Sequence, residues 1–566
     1  MDVTSKTESR LGTFFFRKLL RRRCIYATVA SLESSPFRRT LGLRSLVSLG
    51  VGAVVGAGIF VITGQAAALY AGPSLAISFL LCVFPCLFTA LCYGELAAMI
   101  PAAGSAYTHT AVALGEFTSW IVAVGLTLEC LVSGSAVSVS WSSSVQSFLR
   151  EFSIVFPPEF GGSPIGVSGN GFFLTGNLFN FPAVMLTLFC SVVLCLGVSE
   201  TATVNNVFVI VKFMVLGSFF AYGVYFAVTH WADFKFNLTP FMPPNNGELG
   251  KYGVSGILRG AGVVFFANVG FDTIFASAQE CRNPQRDLPR GVIYTLLICS
   301  ALYFLVTFAL TGMVKYTSLN VDAPVIMALR EVGAPPFLRI LVDIGTISGL
   351  SSVCFACHFA MPRLVMALAK DGLLPPVLSC VHPRLKTPVN ATISCGVAGA
   401  LIGGLFPLEM LGEIISLGTL VAFTIVCVSM WKIRIDFPDF PRPFVAPFFP
   451  FVPLLGVTFN SLQMFFLPLV AWRNYIVVVV ISLFWYSSTE SVTANCTHWT
   501  PLLGAVLFTP RAALHRIHLK RRDEWKRLAR LNFPWRWRGE DEPPLCRYKF
   551  LETYLEGETG GKCNKM

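Results

Sequence analysis

LVSLGVGAVVGAGIFVITGQAAALYA, residues 46–71, carries no charged side chain, and the uncharged run extends from Ser45 to Gly94. A bilayer asks for roughly 20 apolar residues per helix, so this run is long enough for two crossings. In its first half stands Gly56-Ala57-Gly58. Glycine weakens a helix and bares backbone that hydrocarbon cannot solvate. Irregular backbone persists at membrane depth only where it is buried or lines a cavity. The tripeptide therefore reads as a helix break whose backbone groups can hold something small and polar. Gly52 and Gly56 also spell GxxxG, and a packing notch against another helix is the competing reading.

Composition extends this reading to the whole chain. The sequence is 54% hydrophobic and 13% charged, whereas soluble domains carry about 25% charged residues. Apolar stretches recur near 46–71, 74–99, 117–148, 181–198, 203–229, 253–279, 291–313, 336–368, 389–406, 409–431, 448–470 and 474–487. We number them segments 1 to 12; the last is short for a crossing. Residues 1–45 hold ten Lys or Arg, including Arg21-Arg22-Arg23, against three acids. This reads as a cytosolic arm near anionic lipid, with a transit peptide as the alternative. With the N-terminus in the cytosol, basic residues gather on the arm, the even-numbered loops and the C-terminal tail. Few (Arg150, Lys235 and Lys251 among them) fall on the other side. The positive-inside rule then puts both termini in the cytosol. The net charge of +12 follows this membrane pattern and does not point to nucleic acid. Most of the 17 cysteines lie inside apolar runs, as small apolar residues do, so no disulfide framework is expected.

Segment 6 has its own interruption, FFANVGFD at 265–272, with a Gly, an Asn and an acid at membrane depth. The two interrupted segments open consecutive groups of five. Paired interruptions at matching places are the sequence signature of a transporter built from repeats. The expected core is 46–431, with repeats 46–229 and 253–431. Segments 11 and 12 (448–487) lie outside it. The basic tail 495–566 reads as an interfacial helix or a solvated extension.

At a broken helix one half ends in free carbonyls and the other begins with free amides, suiting an ammonium and a carboxylate. Two such breaks match the zwitterionic end of an amino acid. The amides of Gly58, Ile59 and Phe60 are assigned to the carboxylate. The carbonyls of Val54 and Val55, with those of Phe265, Phe266 and Ala267, are assigned to the amine, beside Gly56, Ala57 and Gly270. The Phe266 ring could cap the site. Charges inside apolar segments are functional candidates, because each costs roughly 2.5–3.5 kcal/mol to insert. Lys212, midway along segment 5, reads as a titrating ammonium beside the first break or as half of an ion pair with Glu129 or Asp272. Either acid could answer a cationic side chain or share a proton. Glu95 is ambiguous and could reach interfacial water.

Three motifs carry less. CFACH at 354–358 matches a c-type haem pattern but sits inside an apolar segment. Gly50, Gly52 and Gly56 miss the dinucleotide-binding spacing and have no strand before them. Asn237-Leu238-Thr239 is a glycosylation sequon on the expected non-cytosolic side. No cofactor, metal-ligand spacing or nucleophile–base pair stands out, which argues against an enzyme.

GVGAVVGAGIFVITG (50–64), PAAGSAY (101–107), VNNVFVIVK (204–212) and VGFDTIFASAQECRNPQRDLP (269–289) resemble the amino acid–polyamine–organocation superfamily. MPRLVMALAKDGLLP (361–375), KTPVNATI (386–393) and EIISLGTLVAF (413–423) narrow the resemblance to its cationic amino acid transporters. The resemblance covers about residues 40–490. It implies an all-α, LeuT-like inverted repeat of five plus five segments, with two more at the C-terminal end. It also implies alternating access for arginine, lysine or ornithine. Lys212 stands where bacterial members place a lysine that replaces a sodium ion, implying proton coupling, and Ser351 and Ser352 would line that place. Glu129 and Asp272 match the family's acids in segments 3 and 6. Cys357 matches a small residue that leaves room for a long side chain. Gln279-Glu280 departs from the family's paired acids. Arg259 puts a fixed cation where a small residue is usual. The expected function is amino acid transport linked to protons, in a plasma or vacuole-like membrane. A neutral amino acid or polyamine carrier and a non-transporting receptor are the alternatives. The sequence does not give the oligomeric state.

Overall fold

Helical periodicity with one polar stripe shapes the core, and segment 5 shows how. Asn205, Val209, Lys212, Leu216 and Phe219, spaced three or four apart, are buried, while Val207, Ile210 and Met214 are exposed. One face therefore packs inward and the other presents apolar side chains outward, as a lipid-facing helix must. Segment 9 repeats the pattern, with Ile393, Val397 and Leu401 exposed and Ala391, Cys395 and Gly399 buried. The stripe on segment 5 carries the Lys212 ammonium into the interior.

The computed structural model describes residues 22–33, 37, 39–56, 58–168, 171–245, 247–248, 250–321, 323–467 and 469–504. Most of the basic arm, the tail beyond 504, Ala57 and the side chain of Phe266 lie outside the described residues. Among the described residues helices predominate, and the named strands are one antiparallel hairpin, Ile165–Ser168 with Gly171–Leu174, between segments 3 and 4. Seven helices are long and apolar enough to cross a membrane: Gly58–Met99, Glu116–Glu151, Ala202–Thr229, Pro284–Met313, Pro336–Lys370, Ile415–Asp436 and Leu469–Tyr486. Five shorter apolar helices, Leu43–Val54, Phe181–Leu196, Gly253–Val264, Val389–Leu405 and Phe451–Phe465, accompany them. Together they account for all twelve apolar segments.

Two compact units divide the chain, Met1–Tyr486 and Ser487–Met566. The first holds segments 1 to 12 up to Tyr486. In the second, the described residues are helical as far as Gly504. Segment 8, Pro336–Lys370, is buried almost all round from Gly345 to Leu364. It touches segments 1, 3, 4, 5 and 9. Segment 7, Pro284–Met313, packs on segments 1, 2 and 5. Two buried ion pairs close one end. Arg363 donates from Nε and Nη2 to Glu280 Oε1 at 3.1 and 2.7 Å. Arg434 grips Glu95 through both carboxylate oxygens, its Nε donating to Oε1 at 2.8 Å.

Candidate substrate and ion site

Segment 1 is helical from Leu43 to Val54 and then stops, Val55 being extended with φ −77° and ψ 100°. The chain resumes as a wide turn at Gly58–Ile62 before an ordinary helix at Thr63–Ala66. Segment 6 runs as helix over Gly253–Val264, tightens over Phe265–Asn268, and turns before Thr273–Ala276. Both expected interruptions are present. Gly270 lies in that turn at φ +106°, a backbone region that side-chain-bearing residues rarely adopt. The breaks touch: a Cβ on Gly58 would lie 2.5 Å from Ala267 Cα. No larger residue fits there without separating the two segments.

Side chains from other segments supply donors to these backbone ends. Lys212 Nζ donates to Gly52 O at 2.9 Å and to Val55 O. Ser352 Oγ donates to the same Gly52 O at 2.9 Å. Asn205 donates to Ser48 O at 3.1 Å and lies against Gly52. Tyr303 Oη, on segment 7, stands 2.8 Å from Val54 O and 2.6 Å from Ala267 O. Of the carbonyls assigned to an amine, Val55 is thus held by Lys212 in this state, while Val54 and Ala267 share the one Tyr303 hydroxyl. The amides of Ile59 and Phe60 are not open either; they turn back onto Gly56 O at 3.1 and 3.3 Å. Unsatisfied backbone is so costly at this depth that nearby donors fold in to meet it.

Of the two readings of Lys212, the ion pair with Glu129 or Asp272 does not form; the ammonium lies beside the first break, on carbonyl oxygens. Lys212 is 1% exposed, and its stem passes with the Phe60 ring beside Gly349. Ser351 does not join Ser352; its hydroxyl donates to Ile347 O of its own helix at 2.8 Å. Gly56 abuts Val353 of segment 8. Phe265 is buried, its ring edge-on to Phe423 of segment 10 at 6.2 Å.

Glu129 sits on a widened helical turn, Leu128–Val132, in segment 3; such bulges recur at functional sites. Its Oε1 accepts from Gly270 N at 3.2 Å. Its Oε2 is buried, and the Asp272 carboxyl and Thr419 hydroxyl lie close to the group. Asp272 is 4% exposed and neighbours Glu129. Cys357 faces segment 3 at Gly134, near both acids. Glu95 reaches no interfacial water. It is fully buried, bound by Arg434 and by the Ala446 amide at 2.7 Å, with Arg442 Nε at 3.5 Å.

The weaker motifs resolve locally. His358 Nδ1 lies 2.9 Å from Cys354 O, so its partner is its own helix. Asn237 Nδ2, the atom a glycan would need, donates to Gly312 O and Met313 O at 3.1 and 2.9 Å and caps segment 7. Arg259 stacks over the Tyr70 ring at 5.1 Å. Sequence reasoning missed Tyr303, Asn205 and the Arg363–Glu280 pair. An Asn and a Tyr within apolar runs were the available signals, because buried polar tips require partners.

The amino acid permease family matches residues 41–506. A methylthioribose transporter of Bacillus subtilis (strain 168) is 35% identical over 478 residues, covering 84% of this chain and 99% of the relative. The branched-chain amino acid permease BcaP of the same organism is 36% identical, covering 84% and 98%. The vacuolar cationic amino acid transporter 4 of Arabidopsis thaliana is 35% identical over 405 residues, covering 71% and 64%. The chain belongs to the amino acid permease family: an integral, multi-pass membrane transporter and not an enzyme.

Proposed function

We propose that the protein carries amino acids with basic side chains across its membrane, linked to protons through Lys212, by alternating access between two inverted repeats, 46–229 and 253–431. One observation carries the side-chain preference. Glu129 and Asp272 are buried together behind the segment 6 break, and the ion pairs of the described residues leave both without a basic partner. Neighbouring carboxyl groups away from water repel one another and are relieved by a proton or an incoming cation. A guanidinium or ammonium at the end of a substrate chain meets that need, and small Cys357 leaves room for it. The zwitterionic end would lie at the touching breaks. Both termini would face the cytosol, in a plasma or vacuole-like membrane, and the basic arm 1–45 and tail 495–566 would flank the core.

Uptake of labelled arginine, lysine and leucine into liposomes holding the purified protein tests this. Saturable arginine uptake that leucine does not suppress supports the reading. Leucine uptake that arginine leaves untouched contradicts the basic preference. Saturable binding with no flux marks a receptor.

A neutral substrate is the second reading, favoured by Arg259. Its guanidinium lies in segment 6 over Tyr70 with no acid partner among the described ion pairs, and it would repel a basic substrate on entry. The relatives named for branched-chain amino acids and methylthioribose agree with that reading.

A further inference from the structure

Tyr303 presents one hydroxyl to two carbonyls. A phenol has a single proton to donate, yet its oxygen lies within hydrogen-bond distance of both Val54 O (2.8 Å) and Ala267 O (2.6 Å). Among the described residues, the hydrogen bonds made outside helices bring no second donor to either carbonyl. Val54 ends the helical part of segment 1, so its carbonyl has lost its helical partner. Ala267 lies within the tightened turn of segment 6. Among the described residues one phenol proton thus serves two carbonyls, at a depth where no lipid can supply another. Tyr303 cannot turn away to relieve this. It is fully buried, and its ring packs against Phe79 at 5.0 Å.

We propose that Tyr303 is a positioning residue. It draws the Val54 and Ala267 carbonyls together across the two breaks and leaves one of them for the substrate's α-ammonium group. An ammonium brings three N–H donors and no acceptor. When it donates to one carbonyl, the phenol proton settles on the other, and both breaks are satisfied together only in the loaded protein. The same hydroxyl fixes the distance between the two broken ends, so the substrate class is one that offers an N–H-rich cation beside its carboxylate. A carboxylic acid lacking that group leaves the shortage in place. This rests on the reading of the breaks as an amino acid site, and it assigns the α-amine recognition to a residue of segment 7.

The test compares binding of arginine and of desamino-arginine, which differs only in lacking the α-amine, to the purified full-length protein and to Tyr303→Phe. The wild type is expected to prefer arginine by about tenfold or more, as for a hydrogen bond to a charged group. In Tyr303→Phe the preference is expected to fall below about threefold, because the two carbonyls are no longer held for the ammonium. If Tyr303→Phe weakens both ligands equally and keeps the full preference, Tyr303 is a packing residue and the proposal is overturned. A wild type without any preference overturns it differently, by removing the α-amine from the site altogether. Should Tyr303→Phe not be recovered from membranes, Tyr303→Met fills the same apolar space without a donor and carries the same two outcomes.

Discussion

Lys212 and Ser352 donate to one and the same acceptor, Gly52 O, each at 2.9 Å. Segments 5 and 8 thereby meet on the last turns of segment 1 before its break. A positive charge held by carbonyl oxygens, as the Lys212 ammonium is by Gly52 O and Val55 O, has the ligand chemistry of a bound alkali cation. The ammonium is permanently tethered, however, and can lose a proton where a metal ion cannot. The hydroxyl adds a neutral contact, and its loss leaves the charge in place. Ser352→Ala is expected to lower transport only a few-fold, in line with about 1 kcal/mol for a neutral hydrogen bond, and to keep its pH dependence. A loss of pH dependence with Lys212 intact would shift the coupling role towards Ser352.

The contact between the breaks makes a sharper prediction. Gly58→Ala places a methyl group against the backbone of Ala267, and overpacking of this kind costs roughly 1–3 kcal/mol. Transport by Gly58→Ala should fall at least tenfold. Ala267→Gly in the same chain should recover part of it by returning the space. Wild-type uptake by Gly58→Ala alone would mean that the two segments do not bear on each other during the cycle.

How much of this could be read from the residues depends on what each residue shows by itself. Gly56, Gly58, Gly270 and Asp272 are conspicuous because glycine and acid are costly at membrane depth, so both breaks were legible. Lys212 stood out for the same reason. Its partners did not, because Gly52 O and Val55 O are backbone atoms that no side-chain letter announces. Tyr303 was missed because a tyrosine in an apolar helix is common, and only the fold reveals which carbonyls its hydroxyl meets. Arg363 and Arg434 stand near the ends of apolar segments, where a cation gives no sign of being buried. Their burial depends on Glu280 and Glu95, which lie 83 and 339 residues away in the chain.

Glu95 is an acid whose partners are all in place, held by Arg434 and Arg442. Removing one member of a buried pair leaves the other charge uncompensated, at about 3–5 kcal/mol. Glu95→Ala should therefore lower thermal stability and membrane yield. Pairing Glu95→Leu with Arg434→Leu should restore part of both, Arg442 at 3.5 Å from Glu95 being the one cation of the cluster that then lacks its carboxylate. A stable Glu95→Ala protein with altered pH dependence would instead assign Glu95 a part in proton coupling.

Glu129 should behave in the opposite way. Glu129→Gln keeps an oxygen for the Gly270 amide while removing the charge. The variant should fold, bind leucine-sized neutral ligands as before, and lose about tenfold in arginine affinity, the scale of one charge-assisted hydrogen bond. Equal losses for both ligands, measured by competition binding, would show that Glu129 supports the segment 6 turn and does not read the side chain.

Proton movement accompanying substrate tests the central claim most directly. With a pH-sensitive dye trapped inside liposomes that contain the protein, adding arginine outside should acidify the lumen of wild-type vesicles. It should produce no such signal with Lys212→Ala, even where some arginine still enters. Arginine entry without acidification in the wild type, or an undiminished acidification in Lys212→Ala, would contradict proton coupling through Lys212.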